Sequence, residues 1–439
     1  MKNKILIVGS GAREHAIVKA IKESPQNKKI YCLGSNMNPG IAKLCEETIV
    51  DNINNPITVR NFAKEIKASF TIIGPENPLE NGVADILWEN NIPVIGPKKN
   101  LAKIETSKSF TRKLQKNYNI PGEPKYKFFN TLIGIESFLK KLGENYVVKY
   151  DGLAGGKGVK VSGDHLKNHG EAINYCKDLI NKKASFIIEE KFIGEEFSLM
   201  SFSDGKNLKH MPAIQDHKRA YEGDLGPNTG GMGTYSNFDH SLPFLKSDEI
   251  KQAHDINNAT IKALRNHYQD EYKGVLYGGF MATRQGVKLI EYNARFGDPE
   301  AMNVLSILKT DFIDICKSII NGSLNKLNVD FEKKATVCKY SVPEGYPENP
   351  IKNKPINVSK VKDHLLFYGS VDFKNNSLVE SGSRTVAVVG KADSIFKAEK
   401  IVEKEISLIS GPLFHRKDIG TEPVIKKRIE HMKSLRWSN

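Results

Sequence analysis

Lys149-Tyr150-Asp151-Gly152-Leu153-Ala154-Gly155-Gly156-Lys157-Gly158 lies between two short apolar runs, Tyr146–Val148 and Val159–Val161. The pattern predicts strand, glycine turn, strand: a hairpin with four glycines and a lysine towards each end. Glycines let a backbone approach a ligand closely and turn successive N–H groups towards it. Lysines add point charges suited to phosphate oxygens. A plain glycine-rich hairpin explains the same spacing. A GxxxxGK[ST] phosphate loop does not, because Asp151 stands where its first glycine belongs, Gly158 follows Lys157, and no helix comes next.

Upstream, Lys4–Gly9 is a continuous apolar run of the kind found in strands buried on both faces. Gly9-Ser10-Gly11 turns the chain into a stretch with helical apolar spacing over 12–22. Further apolar runs at 29–34, 70–74 and 92–96 alternate with helical stretches at 58–67 and 81–90. This alternation predicts a parallel sheet covered by helices. A GxGxxG dinucleotide fingerprint fails at Glu14, and Leu33-Gly34-Ser35-Asn36 lacks the ribose-binding acid. The Gly9 turn still suits a single phosphate at a helix N-terminus, or merely packs. A second turn, Gly74-Pro75-Glu76-Asn77-Pro78-Leu79, is expected to join it along one sheet edge.

Downstream, a Lys-rich helix is expected over about 103–120, up to the breaker Ile120-Pro121-Gly122. Residues 124–190 read as a small α+β unit with a helix at about 170–182 and a strand Ser185–Glu189. Glu189 and Glu190 suit an adenine amino group or ribose hydroxyls, and equally a solvated turn. Residues 214–236 show no periodicity and carry His217, two tyrosines and several glycines, which points to a binding loop. In Gly286–Glu300 the first half reads as a strand, so Glu291, Asn293 and Arg295 are expected on one face. An acid and an amide oxygen suit Mg²⁺, and arginine clamps carboxylate or phosphate. A cross-strand ion pair is the plainer alternative. An amphipathic helix near 301–320, a polar connector to about 335, and an α+β module with strands 336–342 and 384–389 and a helix 392–409 complete the chain.

The chain has 439 residues, enough for two to four domains, and 65 Lys+Arg against 51 Asp+Glu give a net charge of +14. The lysines are spread beside glutamates with no Arg-rich or aromatic-interleaved patch, so a solvated surface is expected and nucleic acid is not. Five cysteines without a CxxC pair suggest packed thiols. With no leader and no apolar run of membrane length, a cytoplasmic protein is expected.

Taken together, these stretches resemble the phosphoribosylamine–glycine ligase (glycinamide ribonucleotide synthetase) family of the ATP-grasp group. The resemblance rests on Gly9–Ala16, Gly74–Val83, Asp151–Val159, Gln215–Arg219 with Gly226–Gly233, Arg295–Glu300 and Arg416–Gly420, in the family's order. The sequence departs from it at Ala301-Met302, Phe367–Ser370 and Gly382-Ser383-Arg384. The resemblance implies a Rossmann-like N-terminal domain (1–102), a two-part α+β ATP-grasp domain (103–325, with a mobile part at about 124–190) and a small α+β C-terminal domain (326–439). It implies a monomer that joins glycine to 5-phosphoribosylamine with ATP, through glycyl phosphate, in purine synthesis. By matching positions, Lys108, Lys149, Gly152, Gly155, Gly156, Lys157 and Gly158 hold the nucleotide phosphates, and Glu189 and Glu190 lie near adenine and ribose. Glu291 and Asn293 ligate Mg²⁺ (or Mn²⁺). Arg295 meets the glycine carboxylate or the transferring phosphoryl, beside Gly230 and Gly231. Gly9, Gly11 and Glu14 bind phosphoribosylamine, with Asp216 and Lys218 opposite; Arg295, Lys157 and Asp216 are the expected catalytic groups. Ligases acting on formate or bicarbonate, a Rossmann oxidoreductase and a basic nucleic-acid-binding module are the rival readings.

Overall fold

The computed structural model describes residues 3–155, 158–374 and 376–437. Gly156 and Lys157, both expected at the nucleotide phosphates, lie outside the described residues.

The apolar runs of the first hundred residues pair as expected. Glu47–Val50, Lys28–Gly34, Asn3–Val8, Phe70–Ile73 and Val94–Ile95 form, in that order, a fully parallel sheet. The helical stretch expected at 81–90 is the helix Val83–Glu89, and a separate short helix, Glu76–Glu80, precedes it. Gly82 separates them at φ 81°, a conformation that glycine adopts without strain.

The Lys-rich helix is likewise divided, into Lys99–Thr106 and Lys108–Asn117. Ser107 takes extended backbone angles between them, and its Oγ accepts from the Phe110 amide at 3.1 Å, an N-cap bond. A serine inside a lysine-rich run is the sequence cue for this break.

Residues 126–190 carry their own sheet. Tyr126–Phe129, Phe186–Glu190, Tyr146–Tyr150 and Val159–Val161 pair antiparallel in that order, with helices Ile135–Leu142 and His169–Asn181 packed against them. The core of this unit (Phe129, Leu139, Val148, Cys176, Phe186 and Ile188 among others) is a cluster separate from the two larger ones. The glycine hairpin is thus part of a unit with an apolar core of its own.

The main sheet beneath it is antiparallel, in the order Leu208–His210, Gly194–Asp204, Lys273–Thr283, Gly286–Asn293. The stretch 214–236 is not an irregular loop: it contains strands Gln215–Asp216, Arg219–Tyr221, Leu225–Asn228 and Gly233–Ser236. Gly233–Ser236 pairs with Ala335–Pro343, so the C-terminal sheet crosses the boundary expected at 325/326. These strands are two to four residues long, too short for period-2 alternation to register.

The helix expected over 301–320 is also two, Glu300–Ser306 and Phe312–Asn321. The chain between them is drawn to another segment, with the Lys309 amide on the Asp330 carbonyl at 3.0 Å. Asp311 then caps the second helix by accepting from the Ile313 amide at 2.9 Å. Strands Ala335–Pro343 and Val386–Ala392 and helix Ile395–Ile406 build the C-terminal module, followed by the basic helix Glu422–Trp437. All five cysteines are free thiols, four of them buried.

Candidate active site

The hairpin begins pinned to a helix start. Asp151 accepts from the Ser109 amide at 3.0 Å, from Ser109 Oγ at 2.5 Å and from Ser107 Oγ at 3.1 Å. Lys108 donates to the Gly152 carbonyl at 3.0 Å. A Cβ at Gly152 would fall 2.6 Å from the Tyr150 ring, so only glycine lets the chain turn that closely over the ring.

Beneath the hairpin lies a buried ion cluster. Arg112 grips Glu189 with two bonds, Nε to Oε1 at 2.6 Å and Nη2 to Oε2 at 3.1 Å. Lys149 reaches the same carboxylate at 2.7 Å. Both cations also donate to the Ile290 carbonyl, at 2.7 and 3.0 Å. Burial acts against the charge of Glu189, but two cations outweigh it and hold its carboxyl down at about 2. For Lys149 the balance is opposite: burial dominates, because its carboxylate partner is shared with Arg112, and its pKa falls. Glu189 therefore lines the cleft with its carboxylate already engaged, not as a free acceptor for adenine or ribose. Glu190 accepts from the Lys125 amide through Oε1 alone, at 3.0 Å.

Glu291 and Asn293 face this cleft from the end of the strand Gly286–Asn293. Neither makes a side-chain hydrogen bond among the described residues, so both oxygens point into the cleft uncommitted. Burial opposes the charge of Glu291, yet Lys218, Lys108 and Lys149 together hold its carboxyl below the ordinary value. One carboxylate and one amide oxygen, two residues apart on one strand face, fit a hard divalent cation that takes its remaining ligands from phosphate and water.

Arg295 lies past the strand's end, not in row with them. Two carboxylates flank its guanidinium, Glu76 at 3.2 Å and Glu105 at 3.1 Å, and Nη1 donates to the Phe296 carbonyl at 3.1 Å. The charge of Arg295 pulls the Glu76 carboxyl down to about 2, whereas burial pushes that of Glu105 up. The arginine is oriented by the protein before any ligand arrives.

Among the described residues, the lining of the cleft includes Arg13 but not Gly9, Gly11 or Glu14. Glu14 turns inward, where its carboxylate accepts from the Gly11 amide at 2.6 Å and from Arg13 Nε at 2.7 Å. A Cβ at Gly9 would lie 2.9 Å from Glu14. The Gly9 turn is glycine-rich because Glu14 packs against it, and Arg13 is the group presented to the cleft.

The far wall carries Asp216, Lys218 and Gly230; Gly231, expected beside them, is not part of the lining among the described residues. Lys218 pairs with Glu196. Burial disfavours its charge, but Glu196, Glu291 and Asp216 outweigh it, and the pKa of Lys218 rises. His217 also lines the cleft, with both ring nitrogens unpaired among the described residues; burial keeps it neutral, at about 4. The C-terminal module reaches this wall through Arg384, whose Nη1 donates to the carbonyls of Gly230 and Asp298, both at 2.7 Å.

The cleft has a volume of about 670 Å³, and the hairpin, the Glu291–Asn293 edge and the Gly230 wall all line it. Arg112 and Glu105 belong to this site but escape a reading of the sequence. Arg112 sits in the lysine-rich helix, 77 positions from Glu189, and nothing local marks it. Glu76 and Glu300 do fall within family-like stretches, which was the available signal, whereas Arg384 lies where the sequence departs from the family.

Comparison with known proteins shows the family. Family models for the N domain, the ATP-grasp (A) domain and the C domain of phosphoribosylglycinamide synthetase match residues 3–105, 106–301 and 336–422. A phosphoribosylamine–glycine ligase of Methanosarcina barkeri is 49% identical over 433 residues, covering 99% of this chain and all of that one. The enzyme of the same name from Methanocaldococcus jannaschii is also 49% identical, over 444 residues, with 99% and 100% coverage. The crystal structure of phosphoribosylamine–glycine ligase from Thermotoga maritima superposes with a TM-score of 0.81 at 26% identity, covering 94% of this chain and 99% of that one. A biotin carboxylase domain from Hydrogenobacter thermophilus, in complex with MgADP, shares the fold at a TM-score of 0.74 and 14% identity, over 99% of this chain and 94% of that one. With three domain models in order and near-half identity from end to end, the chain belongs to the phosphoribosylamine–glycine ligase family, ATP-grasp enzymes of purine biosynthesis.

Proposed function

We propose that the cleft joins glycine to 5-phosphoribosylamine in two transfers on one nucleotide. A glycine carboxylate oxygen attacks the γ-phosphorus of ATP; ADP leaves and glycyl phosphate remains. The phosphoribosylamine nitrogen then attacks the acyl carbon, a C–N bond forms, and phosphate departs with the C–O electron pair. Such chemistry needs positioning and charge neutralisation more than a covalent nucleophile.

In this reading Lys108, Lys149 and Lys157 hold the phosphates, with Gly152, Gly155 and Gly158 presenting backbone N–H groups. Glu189 serves by fixing Lys149, and Glu190 is left for the ribose hydroxyls. Glu291 and Asn293 would hold Mg²⁺, which when bound neutralises phosphate oxygens. Arg295 orients the glycine carboxylate. Arg13, Lys218 and Asp216 surround the phosphoribosylamine. The hairpin unit closes over the nucleotide and keeps water from glycyl phosphate. The proposal includes a cytoplasmic setting and a monomeric chain, the latter testable by sedimentation.

The observation that carries it is that the glycine hairpin and the uncommitted oxygens of Glu291 and Asn293 line one cleft. Coupled ADP release with glycine, formate or bicarbonate as the carboxylate tests it. Release that depends on glycine and phosphoribosylamine is expected; release with formate or bicarbonate alone would replace it with a neighbouring ligase activity. Lys157→Ala is expected to raise the KM for ATP about tenfold, the worth of one charge-assisted phosphate bond, and to leave that for phosphoribosylamine within twofold. An unchanged ATP dependence would remove Lys157 from the phosphate site.

A further inference from the structure

The two-transfer reaction leaves the basic C-terminal helix Glu422–Trp437 without a role, yet that helix reaches the cleft through Arg428. Arg428 Nη1 lies 3.3 Å from Glu195, on the strand Gly194–Asp204 of the main sheet, and its Nη2 donates to Asp224. Asp224 stands in the turn that joins the strands Arg219–Tyr221 and Leu225–Asn228 into a small ribbon. The helix thus ties the turn of that ribbon to the main sheet.

The segment before the helix holds the same ribbon. Arg416, 1% exposed, donates through Nη1 to the Arg219 carbonyl and to Asp224, both at 3.0 Å. Asp418 braces Arg416 at 2.9 and 2.7 Å and accepts from the Gly223 amide at 2.9 Å. A two-stranded ribbon is marginal by its own pairing. These outside bonds are what fix where it stands.

The ribbon reaches the glycine-hairpin unit through Arg219. Its Nη2 meets Asp164 at 3.0 Å, while its Nη1 donates to the Gly226 carbonyl at 2.8 Å. Asp164 sits on a tight turn after the strand Val159–Val161. The Gly163 amide closes that turn on the Leu166 carbonyl at 2.9 Å, and the His165 amide on the Val161 carbonyl at 2.8 Å. Leu166 belongs to the apolar core of the glycine-hairpin unit. The bridge therefore joins two separately supported pieces, and both of its partners line the cleft.

We propose that the Asp164–Arg219 pair is the latch that holds the glycine-hairpin unit closed, and that Arg428 is a positioning residue that sets this latch by fixing the ribbon. The proposal rests on the ligase reading above, in which that unit closes over the nucleotide. Arg428 acts through the ribbon and not by touching the nucleotide. The side chains of Arg219 and Asp164 are 24% and 44% exposed, so the pair is a weak one. That weakness suits a contact that must break in every turnover to release product.

A fluorescent, non-hydrolysable ATP analogue bound with Mg²⁺ and chased with unlabelled ATP measures closure, because the nucleotide leaves when the unit opens. Asp164→Asn is expected to raise the dissociation rate about two- to fivefold, the range an exposed ion pair allows. Arg428→Met should raise it by a similar factor. The helix stays docked in that variant, since Ile425 and Met432 are buried and Arg436 holds Glu249 at 2.7 Å. Glu195 keeps His431, and Asp224 keeps Arg416. The double variant should release the analogue no faster than the faster single one, because both changes act on one contact. A helix that only added stability would leave the rate alone or add its effect to that of Asp164→Asn.

An unchanged rate in Asp164→Asn would overturn the latch. An unchanged rate in Arg428→Met, or additive effects in the double variant, would overturn the positioning role. If Arg428→Met does not fold, Asp224→Asn weakens the same tie from the ribbon side and takes its place. A wild type that binds the analogue but shows no glycine-dependent ADP release would instead overturn the ligase reading itself.

Discussion

Glu291→Gln is expected to lower kcat by roughly 10²–10³-fold while the protein stays folded, because a metal-bound carboxylate contributes several kcal/mol of charge stabilisation to phosphoryl transfer. The substitution keeps volume and shape and removes one negative charge. The three lysines that hold Glu291 ionised do not lose their other partners. Lys218 keeps Glu196, Lys149 keeps Glu189, and Lys108 keeps the Gly152 carbonyl. The change in unfolding free energy should therefore stay within about 1 kcal/mol, the range of substitutions that break no bonded pair. Steady-state ADP release across a magnesium titration and a thermal melt measure the two quantities. Excess magnesium should not restore the rate, since a neutral amide binds a hard cation far less well than a carboxylate. A kcat within threefold of wild type at saturating magnesium would remove Glu291 from the metal site.

The sequence disclosed those parts of the site that are local. The hairpin was legible because glycines and lysines crowd into ten consecutive positions, and the Glu291–Asn293 pair because strand alternation places them on one face. What was not legible depends on pairing across the chain. Arg112 looks like one more basic residue of a lysine-rich helix until Glu189, from a strand 77 residues later, folds against it. The resemblance places Glu14 at phosphoribosylamine, and no local pattern announces that its carboxylate accepts from the Gly11 amide. Within 214–236 the strand Gly233–Ser236 is paired with Ala335–Pro343, about a hundred residues downstream, so no local periodicity announces it. The helix expected at 301–320 fails for the same reason, since Asp330 competes for the backbone at Lys309.

The three-way contact of Arg112, Glu189 and Lys149 supports the second large effect. Glu189→Gln is expected to lower the unfolding free energy by about 3–5 kcal/mol, the usual loss when one partner of a buried ion pair is removed. Both cations remain buried without a charged partner among the described residues, with Arg112 keeping Gln115 and the Ile290 carbonyl, and Lys149 that carbonyl. The pH dependence identifies the cause. The folded-state carboxyl stands at about 2 against an ordinary value of 4.5, a depressed pKa, so its stabilisation is complete above pH 4.5 and is lost as pH falls through 2. That difference corresponds to about 3 kcal/mol. Urea unfolding at stepped pH should show the wild type losing this increment between pH 4.5 and 2, whereas the variant, with no carboxyl to titrate there, starts lower and declines less. Because Lys149 opens the glycine hairpin, the variant should also need more ATP for half-maximal rate at neutral pH. Parallel acid profiles for the two proteins would mean that the cluster is held by packing around the arginine, not by the charge at its centre.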